Sequence, residues 1–210
     1  MIRQAYLEAA TSAAALVRDP AVVVAWSEPS SLALMSVGGL AAHLANQIVT
    51  AARTLDAPSP EVEAVTLMQH YARVKWLGAD LDQEFNVAIR AGSESAAEGG
   101  PEQVAARAAE ALAALSTRLV DQPADRRVQV PSGPWSLTLD DFLVTRMMEI
   151  AVHSDDLAAS VRIVTPDLSE SVTTPVLDLL IRLSARRHGP TAVVRALSRS
   201  ERAPETISAL

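Results

Sequence analysis

The feature that most constrains the fold is the recurrence of apolar residues at helical spacing in one segment after another. Between residues 37 and 55 an apolar stripe follows Ser36, a good helix N-cap, and ends before two prolines. Similar patterns cover residues 2–17, 61–89, 101–120, 139–161 and 173–188, and a short one follows Pro190. Strand patterns are almost absent. The sequence therefore predicts an all-α, up-and-down helical bundle with a short helical C-terminal extension.

Three features interrupt the helical pattern. Residues 91–101 are rich in glycine and serine and are interpreted as a polar loop. Residues 128–139 alternate briefly but contain two prolines and a glycine, which indicates a short hairpin or an extended connection. Gly78 marks a break within the segment 61–89. The length of 210 residues suits one domain with an extension.

Charge and composition exclude several classes of function. The net charge of −7 argues against a nucleic-acid footprint, which needs clustered basic residues. The chain has no cysteine, so disulfides, a catalytic cysteine and a cysteine-based zinc site are excluded. No window approaches the ~18 consecutive apolar residues of a membrane span, and Glu8 interrupts what would be the apolar core of a signal peptide. We therefore expect a cytoplasmic protein that binds neither nucleic acid nor membrane.

The basic residues are strongly biased toward arginine. Lys75 is the only lysine among the 18 basic residues. We interpret the bias as that of a GC-rich genome, such as an actinobacterium's, and not as a sign of binding.

The helix predicted for residues 139–161 carries a strip of ionisable side chains along the edge of its apolar stripe. Arg146, Glu149, His153 and Asp156 follow one another at about one turn. Glu149 and His153 are four residues apart, so both can reach one point. His43 flanks the apolar face of the helix predicted for residues 37–55. If the two helices are neighbours, His43, Glu149 and His153 converge near one end of the bundle core.

Two imidazoles and one carboxylate are a common ligand set for a catalytic divalent metal. Three protein ligands leave a coordination position for water or substrate. Zinc fits this set, and Ni(II) or Fe(II) is also compatible with these ligand types. Helical bundles are known to present such sites inward from facing helices.

The spacing alone also allows a purely structural interpretation. Arg146 with Glu149, and His153 with Asp156, can form ordinary ion pairs on a helix surface. His43 can be a core histidine with satisfied hydrogen bonds. His70 is interpreted in the same way, as a surface or packing residue.

Two segments resemble a known family. "SVGGLAAHLANQI", residues 36–48, and "TRMMEIAVHSDDLAAS", residues 145–160, are similar to two signature segments of the mycothiol-dependent maleylpyruvate isomerase family, in its N-terminal domain of the DinB/YfiT-like superfamily. The similarity covers residues 5 to 163, and both motifs occur in the expected order and at about the expected separation. The match is specific to the family and much less specific to any one reaction.

The resemblance implies a fold, a metal and a cosubstrate. Residues 1–163 are expected to form a DinB-like four-helix bundle that binds zinc through His43, Glu149 and His153, and residues 164–210 to form the helical extension. The implied cosubstrate is a low-molecular-weight thiol, mycothiol. Asp156 matches a position associated with holding that thiol, and Arg73 matches an arginine with a similar role.

The implied chemistry also accounts for the missing cysteine. A thiol with an ordinary pKa of about 8.5 is only slightly ionised at neutral pH, whereas coordination to zinc deprotonates it. The thiolate would then attack a small electrophile, such as an activated alkene, an epoxide or an alkyl halide. Asp156 would orient the thiol by accepting hydrogen bonds, and Arg73 and Arg146 would bind its polar groups or a substrate carboxylate.

The C-terminal segment departs from the family pattern. The maleylpyruvate isomerases carry an α/β domain that helps to close the active site, and residues 164–210 are too few to form one. We therefore expect a thiol S-transferase or isomerase of undefined electrophile. A non-enzymatic metal-binding bundle and a hydrolase that uses zinc-bound water on a small amide or ester stay open as alternatives, as does a homodimer.

Overall fold

A computed structural model describes residues 1–74, 80–123, 125–131 and 133–210. Its helices are α1 (Ile2–Val17), α2 (Pro20–Val24), α3 (Val37–Asp56), α4 (Leu67–Tyr71), α5 (Glu84–Ala97), α6 (Gly100–Arg118), α7 (Leu139–Val161), α8 (Glu170–His188) and α9 (Pro190–Ser198), with a 3₁₀ turn at Ser200–Arg202. Two three-residue strands are its regular strands within these ranges. The prediction of an all-α fold is confirmed.

Four long helices form the core of the bundle. Helix α1 packs against α6 and α7, and α3 packs against the same two helices. Their apolar stripes are almost fully buried, which is the arrangement that periodic Ala, Leu, Val and Ile residues favour. Helix α5 packs along α3, and α8 packs on α1 and α7. These contacts bring α3, α5 and α7 together around one end of the core.

A small hairpin precedes α7. Strand β1 (Arg127–Gln129) pairs antiparallel with β2 (Ser136–Thr138). The hairpin predicted for this segment is therefore present. Its second strand leads directly into α7, where the Thr138 side chain accepts a hydrogen bond from the Asp141 backbone nitrogen and caps the helix.

The long helix predicted for residues 61–89 is wrong in its first part. Residues 62–65 lie beside β2: the Val65 backbone nitrogen donates to the Ser136 carbonyl oxygen, and the Ser136 hydroxyl donates to the Val62 carbonyl oxygen. Pairing with the hairpin thus outweighs the local helical pattern, and among the described residues between 61 and 83 only the five residues of α4 are in an α-helix. The predicted break at Gly78 lies outside the described residues.

The polar loop predicted for residues 91–101 is also wrong. Helix α5 continues through this segment to Ala97, and α6 begins three residues later. The Ser93 hydroxyl donates to the Ile89 carbonyl oxygen within the helix. The Glu94 carboxylate accepts bonds of 2.7 and 2.8 Å from the backbone nitrogen and the hydroxyl of Ser36, at the start of α3. Packing on α3 therefore stabilises a helix that glycine and serine alone disfavour.

Residues beyond α9 fold back along α8. The Ser184 hydroxyl donates to the Ile207 carbonyl oxygen at 2.7 Å, His188 Nε2 lies 2.8 Å from the Ser208 carbonyl oxygen, and Arg187 donates to that of Leu210. This returning segment reaches α7, because Leu210 of the segment and Val152 of α7 line the same two pockets. The domain division at residue 163 stays a prediction. None of the described helices has the length and apolar character needed to cross a membrane.

Candidate metal centre

Two helices supply the three predicted metal ligands. Helix α7 is unbroken, so Glu149 and His153 project from successive turns toward α3. The Glu149 Oε2 atom lies 3.2 Å from His153 Nε2 and 3.7 Å from His43 Nε2. The three side chains are only 15–18% exposed. One carboxylate and two imidazoles thus converge at a mostly buried point.

The geometry suits a tetrahedral divalent cation. One ligand atom from each of His43, Glu149 and His153 lies within 4.8 Å of the other two. Bonds of about 2.0–2.1 Å to a tetrahedral zinc ion separate ligand atoms by about 3.3 Å, close to the distances observed. The His43 and His153 rings meet edge to face, with centroids 4.7 Å apart. The donor set and its spacing therefore fit Zn²⁺, with a fourth position left for a ligand.

The hydroxyl of Ser93 sets the tautomer of His43. Ser93 Oγ donates its proton to the Ile89 carbonyl oxygen at 2.8 Å, and it lies 3.3 Å from His43 Nδ1. Because that proton is already used, the hydroxyl oxygen must accept the Nδ1 proton of His43. The Nε2 lone pair of His43 is then free to face Glu149, as metal ligation requires.

Asp156 has the corresponding role for His153. Its Oδ2 atom lies 3.0 Å from His153 Nδ1, which leaves His153 Nε2 directed at Glu149. A carboxylate that accepts from the distal nitrogen of a metal-ligating histidine is a common feature of metal sites. The structure therefore places Asp156 behind His153 and not at the point where the ligands meet.

Arg146 is linked to His43 through an amide. Arg146 Nη1 donates to Gln47 Oε1 at 2.6 Å, and this bond directs Gln47 Nε2 toward His43 Nε2, 3.3 Å away. The same amide nitrogen donates to the His43 carbonyl oxygen at 3.0 Å, so it keeps a partner if His43 binds a cation. No carboxylate lies within ion-pair distance of Arg146 among the described residues.

The charges at the site stabilise an ionised carboxylate. Burial alone would raise the pKa of Glu149, but the hydrogen bond from His153 and the positive charge of Arg146 outweigh it, so the pKa lies well below its usual range. Burial would likewise lower the pKa of His153. Its hydrogen bonds to Asp156 and Glu149 prevail and raise that pKa to about 9. An anionic Glu149 is the form that binds a cation.

The three candidate ligands open onto a cleft of about 520 Å³, which we call the main cleft. Helices α3, α5 and α7 form its walls. Polar side chains include His43, Gln47, Arg146, Glu149 and His153, and the apolar side is formed by residues such as Met35, Phe85, Ile89, Met148, Val152 and Leu210. The volume lies within the usual range for a small-molecule site.

His70 is buried, as a packing residue would be, and it also belongs to this cleft. It lines the cleft and is only 5% exposed. Trp135 Nε1 donates to His70 Nδ1 at 3.0 Å. Because an indole nitrogen can only donate, His70 Nδ1 carries no proton and the proton of the neutral ring sits on Nε2. No local sequence signal reveals this, since Trp135 lies 65 residues further along the chain.

Arg73 lies apart from the ligands. Its side chain is exposed, and its guanidinium carbon lies 5.7 Å from the centre of the Trp135 ring. Neither Arg73 nor Asp156 is among the described residues that line the main cleft. The thiol-holding role expected for these two residues stays a prediction, whereas Arg146 does line the cleft.

The fold and the site together define the class of protein: a helical bundle with a candidate metal site of two histidines and one glutamate at the wall of a cleft. The profile of the family described as "Mycothiol maleylpyruvate isomerase N-terminal domain" matches residues 6–158. The match covers well over half of the chain, so the protein belongs to this family. It includes all three candidate ligands.

One solved structure supports the fold independently. The crystal structure of a histidine-to-alanine variant of the mycothiol-dependent maleylpyruvate isomerase superimposes with a TM-score of 0.55 at 16% sequence identity. The superposition covers 87% of this chain and 68% of that chain. At this identity the likeness shows a shared fold. A search of curated protein sequences finds no match.

Proposed function

We propose that the protein is a metal-dependent enzyme that activates a low-molecular-weight thiol, mycothiol in the first instance, for attack on a small electrophile. The observation that carries the proposal is the convergence of His43, Glu149 and His153 on one point at the wall of the main cleft. Family membership supports mycothiol as the thiol. An actinobacterial source and a cytoplasmic location agree with this proposal and stay predictions from sequence.

Zinc is the cation that we propose for the site. When bound there, it would supply Lewis acidity that lowers the pKa of a coordinated thiol and so provides a nucleophile at neutral pH. The chain's own residues hold and orient this centre. His43 and His153 would each present Nε2 to the cation, oriented by a bond at the opposite nitrogen, and Glu149 contributes the negative charge. Because the pKa of His153 is raised to about 9, the cation would displace a proton from that ring when it binds.

The reaction that we propose begins with the thiolate sulfur forming a bond to an electrophilic carbon. With an epoxide or an alkyl halide, the bond to the leaving oxygen or halogen breaks as the sulfur–carbon bond forms. With an activated alkene, the electron pair moves onto the conjugated carbonyl. Rotation about the resulting single bond and expulsion of the thiolate would complete an isomerisation, and the thiol is regenerated.

Two cleft residues are suited to bind the electrophile's oxygen atoms. Arg146 presents a guanidinium group that can bind a carboxylate or a developing oxyanion. His70 presents a neutral Nε2–H donor fixed by Trp135. Both groups can stabilise negative charge that develops on oxygen during attack. Asp156 would act mainly by orienting His153.

Calorimetry with the thiol tests this proposal. The zinc-loaded protein is titrated with mycothiol and with its S-methyl derivative, which cannot ionise at sulfur. We expect mycothiol to bind and the S-methyl derivative to bind much more weakly. Absence of heat with mycothiol would refute thiol activation and leave a metal-binding bundle or a zinc-water hydrolase.

An activity assay with maleylpyruvate then separates the two possible outcomes of thiol attack. Conversion to the trans isomer without net thiol consumption would establish an isomerase. Consumption of one thiol per electrophile from a panel of epoxides and alkyl halides would establish an S-transferase. The variant His153→Ala serves as the control in both assays.

A further inference from the structure

A second cavity, open to solvent on one side, adjoins the main cleft. It has a volume of about 360 Å³ and lies between α7, α8, α9 and the returning C-terminal segment. We call it the side chamber. Its ten lining residues include Val152 of α7, Ile181 and Ser184 of α8, and Ile207, Ser208 and Leu210 of the returning segment.

The side chamber is suited to hydrocarbon. Eight of its ten lining residues are apolar. The two serines have no hydroxyl proton to offer, since Ser184 Oγ donates to the Ile207 carbonyl oxygen at 2.7 Å and Ser208 Oγ donates to that of Leu210 at 2.9 Å. An apolar cavity of roughly 150 Å³ is enough to bind benzene. The chamber therefore has room for a larger hydrocarbon group.

The side chamber and the main cleft share a wall. Val152 and Leu210 line both spaces. Val152 immediately precedes the candidate ligand His153 on α7 and follows Glu149 by three residues, so it lies within one helical turn of both. The two spaces therefore adjoin at these two side chains, close to the candidate ligands.

The wall formed by the returning segment is held in place. His188 and Arg187 of α8 bind the Ser208 and Leu210 carbonyl oxygens, in addition to the bond from Ser184. Three side-chain bonds from one helix fix this segment before any ligand arrives. A preformed cavity costs less ordering entropy when a ligand binds than one that must be assembled.

From this arrangement we infer that the side chamber binds a hydrocarbon substituent of the electrophile, whose reactive carbon lies in the main cleft. The assignment of this hydrocarbon group to an electrophile rests on the proposed function. The binding of hydrocarbon as such rests on the lining of the chamber alone. The preferred electrophile would be one with a linear or branched alkyl group next to its reactive carbon.

A titration with 1-alkanols from butanol to octanol tests hydrocarbon binding without any catalytic step. In both metal-free and zinc-loaded protein, affinity should rise about fourfold for each added methylene until the chamber is full. Ile181→Trp should abolish this chain-length dependence. The matched control is Leu177→Trp, because Leu177 is similarly exposed on α8 but does not line the chamber. Ile181→Asp and Leu177→Asp provide a second pair in which charge replaces bulk.

The outcomes of the titration are distinct. If the chain-length dependence is lost in both Ile181 variants and kept in both Leu177 variants, the result supports hydrocarbon binding in the side chamber. An affinity that does not depend on chain length, or a dependence unchanged in Ile181→Trp and Ile181→Asp, overturns hydrocarbon binding at this place.

Turnover of a series of terminal epoxides tests the assignment to the electrophile. The sulfur–carbon bond forms as the ring carbon–oxygen bond breaks, and the ring oxygen takes up the proton that the thiol releases. With mycothiol and zinc, kcat/KM should increase from 1,2-epoxybutane to 1,2-epoxyoctane in the native protein and in Leu177→Trp, and stay level in Ile181→Trp. Turnover without chain-length dependence in the native protein overturns the assignment to the electrophile. Turnover of no epoxide, with a normal alkanol titration, overturns that assignment and counts against the proposed function, while hydrocarbon binding stands.

Discussion

His43 Nδ1 lies 3.3 Å from Ser93 Oγ, so a hydroxyl on α5 orients a candidate metal ligand on α3. The Ser93 proton is already donated to the Ile89 carbonyl oxygen, which leaves its oxygen as the acceptor for His43. The position of α5 along α3 therefore decides whether His43 presents a lone pair or a proton to Glu149. In the proposed metal site, the packing of a helix outside the four-helix core would therefore contribute to metal affinity.

Ser93→Ala should weaken zinc binding. Loss of the acceptor frees the His43 ring to rotate and to change tautomer, and partners of this kind typically contribute 10–100-fold in metal affinity. The measurement is a competition titration of zinc against a chromophoric chelator. Ser95→Ala is the matched control, because Ser95 is exposed on the same helix. Ser93→Thr keeps the hydroxyl and should restore affinity, and an affinity in Ser93→Ala equal to that of the native protein would contradict the orienting role.

His43→Ala and His153→Ala should each abolish stoichiometric zinc binding without unfolding the bundle. The fold is stabilised mainly by the buried apolar stripes of α1, α3, α6 and α7, which these substitutions leave intact. Metal content after dialysis and far-ultraviolet circular dichroism provide the two measurements. His188→Ala, a histidine outside the site, is the control. Zinc retained at one equivalent in both variants would rule out this ligand set.

Asp156→Asn should separate two roles of Asp156. If Asp156 mainly orients His153, the variant should bind zinc at least about tenfold more weakly, and mycothiol should bind to the zinc-saturated variant as it does to the native protein. If Asp156 holds the thiol directly, the affinity for mycothiol should fall even at saturating zinc. Asp155→Asn is the neighbouring control, because the Asp155 carboxylate accepts from Thr165 at 2.6 Å on the exposed side of α7.

The helices that carry the candidate ligands were the easiest part to predict from sequence. The cap at Ser36 and the apolar periodicity of both segments are local signals, and the two helices begin at Val37 and Leu139, as those signals indicate. Once the two helices are neighbours, spacing alone brings His43, Glu149 and His153 near one another. Local patterns therefore indicate where each candidate ligand lies on its helix, whereas the prediction that the three form one ligand set rests on the family resemblance.

The partners of the ligands depend on contacts between distant segments, which one sequence does not show. The glycine- and serine-rich surroundings of Ser93 disfavour helix and predict a loop, and packing on α3 reverses that preference. His70 reaches the cleft through Trp135 of the hairpin. The wall formed by Leu210 depends on the return of the chain along α8. Each of these is a tertiary effect without a local signal.

Acid pH should destabilise the protein through His70. The pKa of His70 is lowered from 6.5 to about 4. Burial is the larger cause, and the positive charge of Arg146 is the smaller one. Between pH 6.5 and about 4 the unfolded chain therefore binds a proton at this residue that the folded protein does not, so the free energy of unfolding falls as the pH decreases through this window. Above pH 6.5 the contribution is constant.

Urea unfolding of the native protein and of His70→Phe at pH 7, 5.5 and 4.5 isolates this contribution. The carboxylates are common to both proteins, so the difference between the two curves reports His70, and the native protein should lose more stability on acidification than the variant. Trp135→Phe removes the donor that keeps His70 Nδ1 unprotonated. The His70 pKa of this variant, followed by the ring Cε1 proton in NMR spectra, should rise, while burial still holds it below 6.5. Parallel stability curves for the native protein and His70→Phe, together with an unshifted His70 pKa in Trp135→Phe, would show that His70 is not held neutral by its burial and its bond to Trp135.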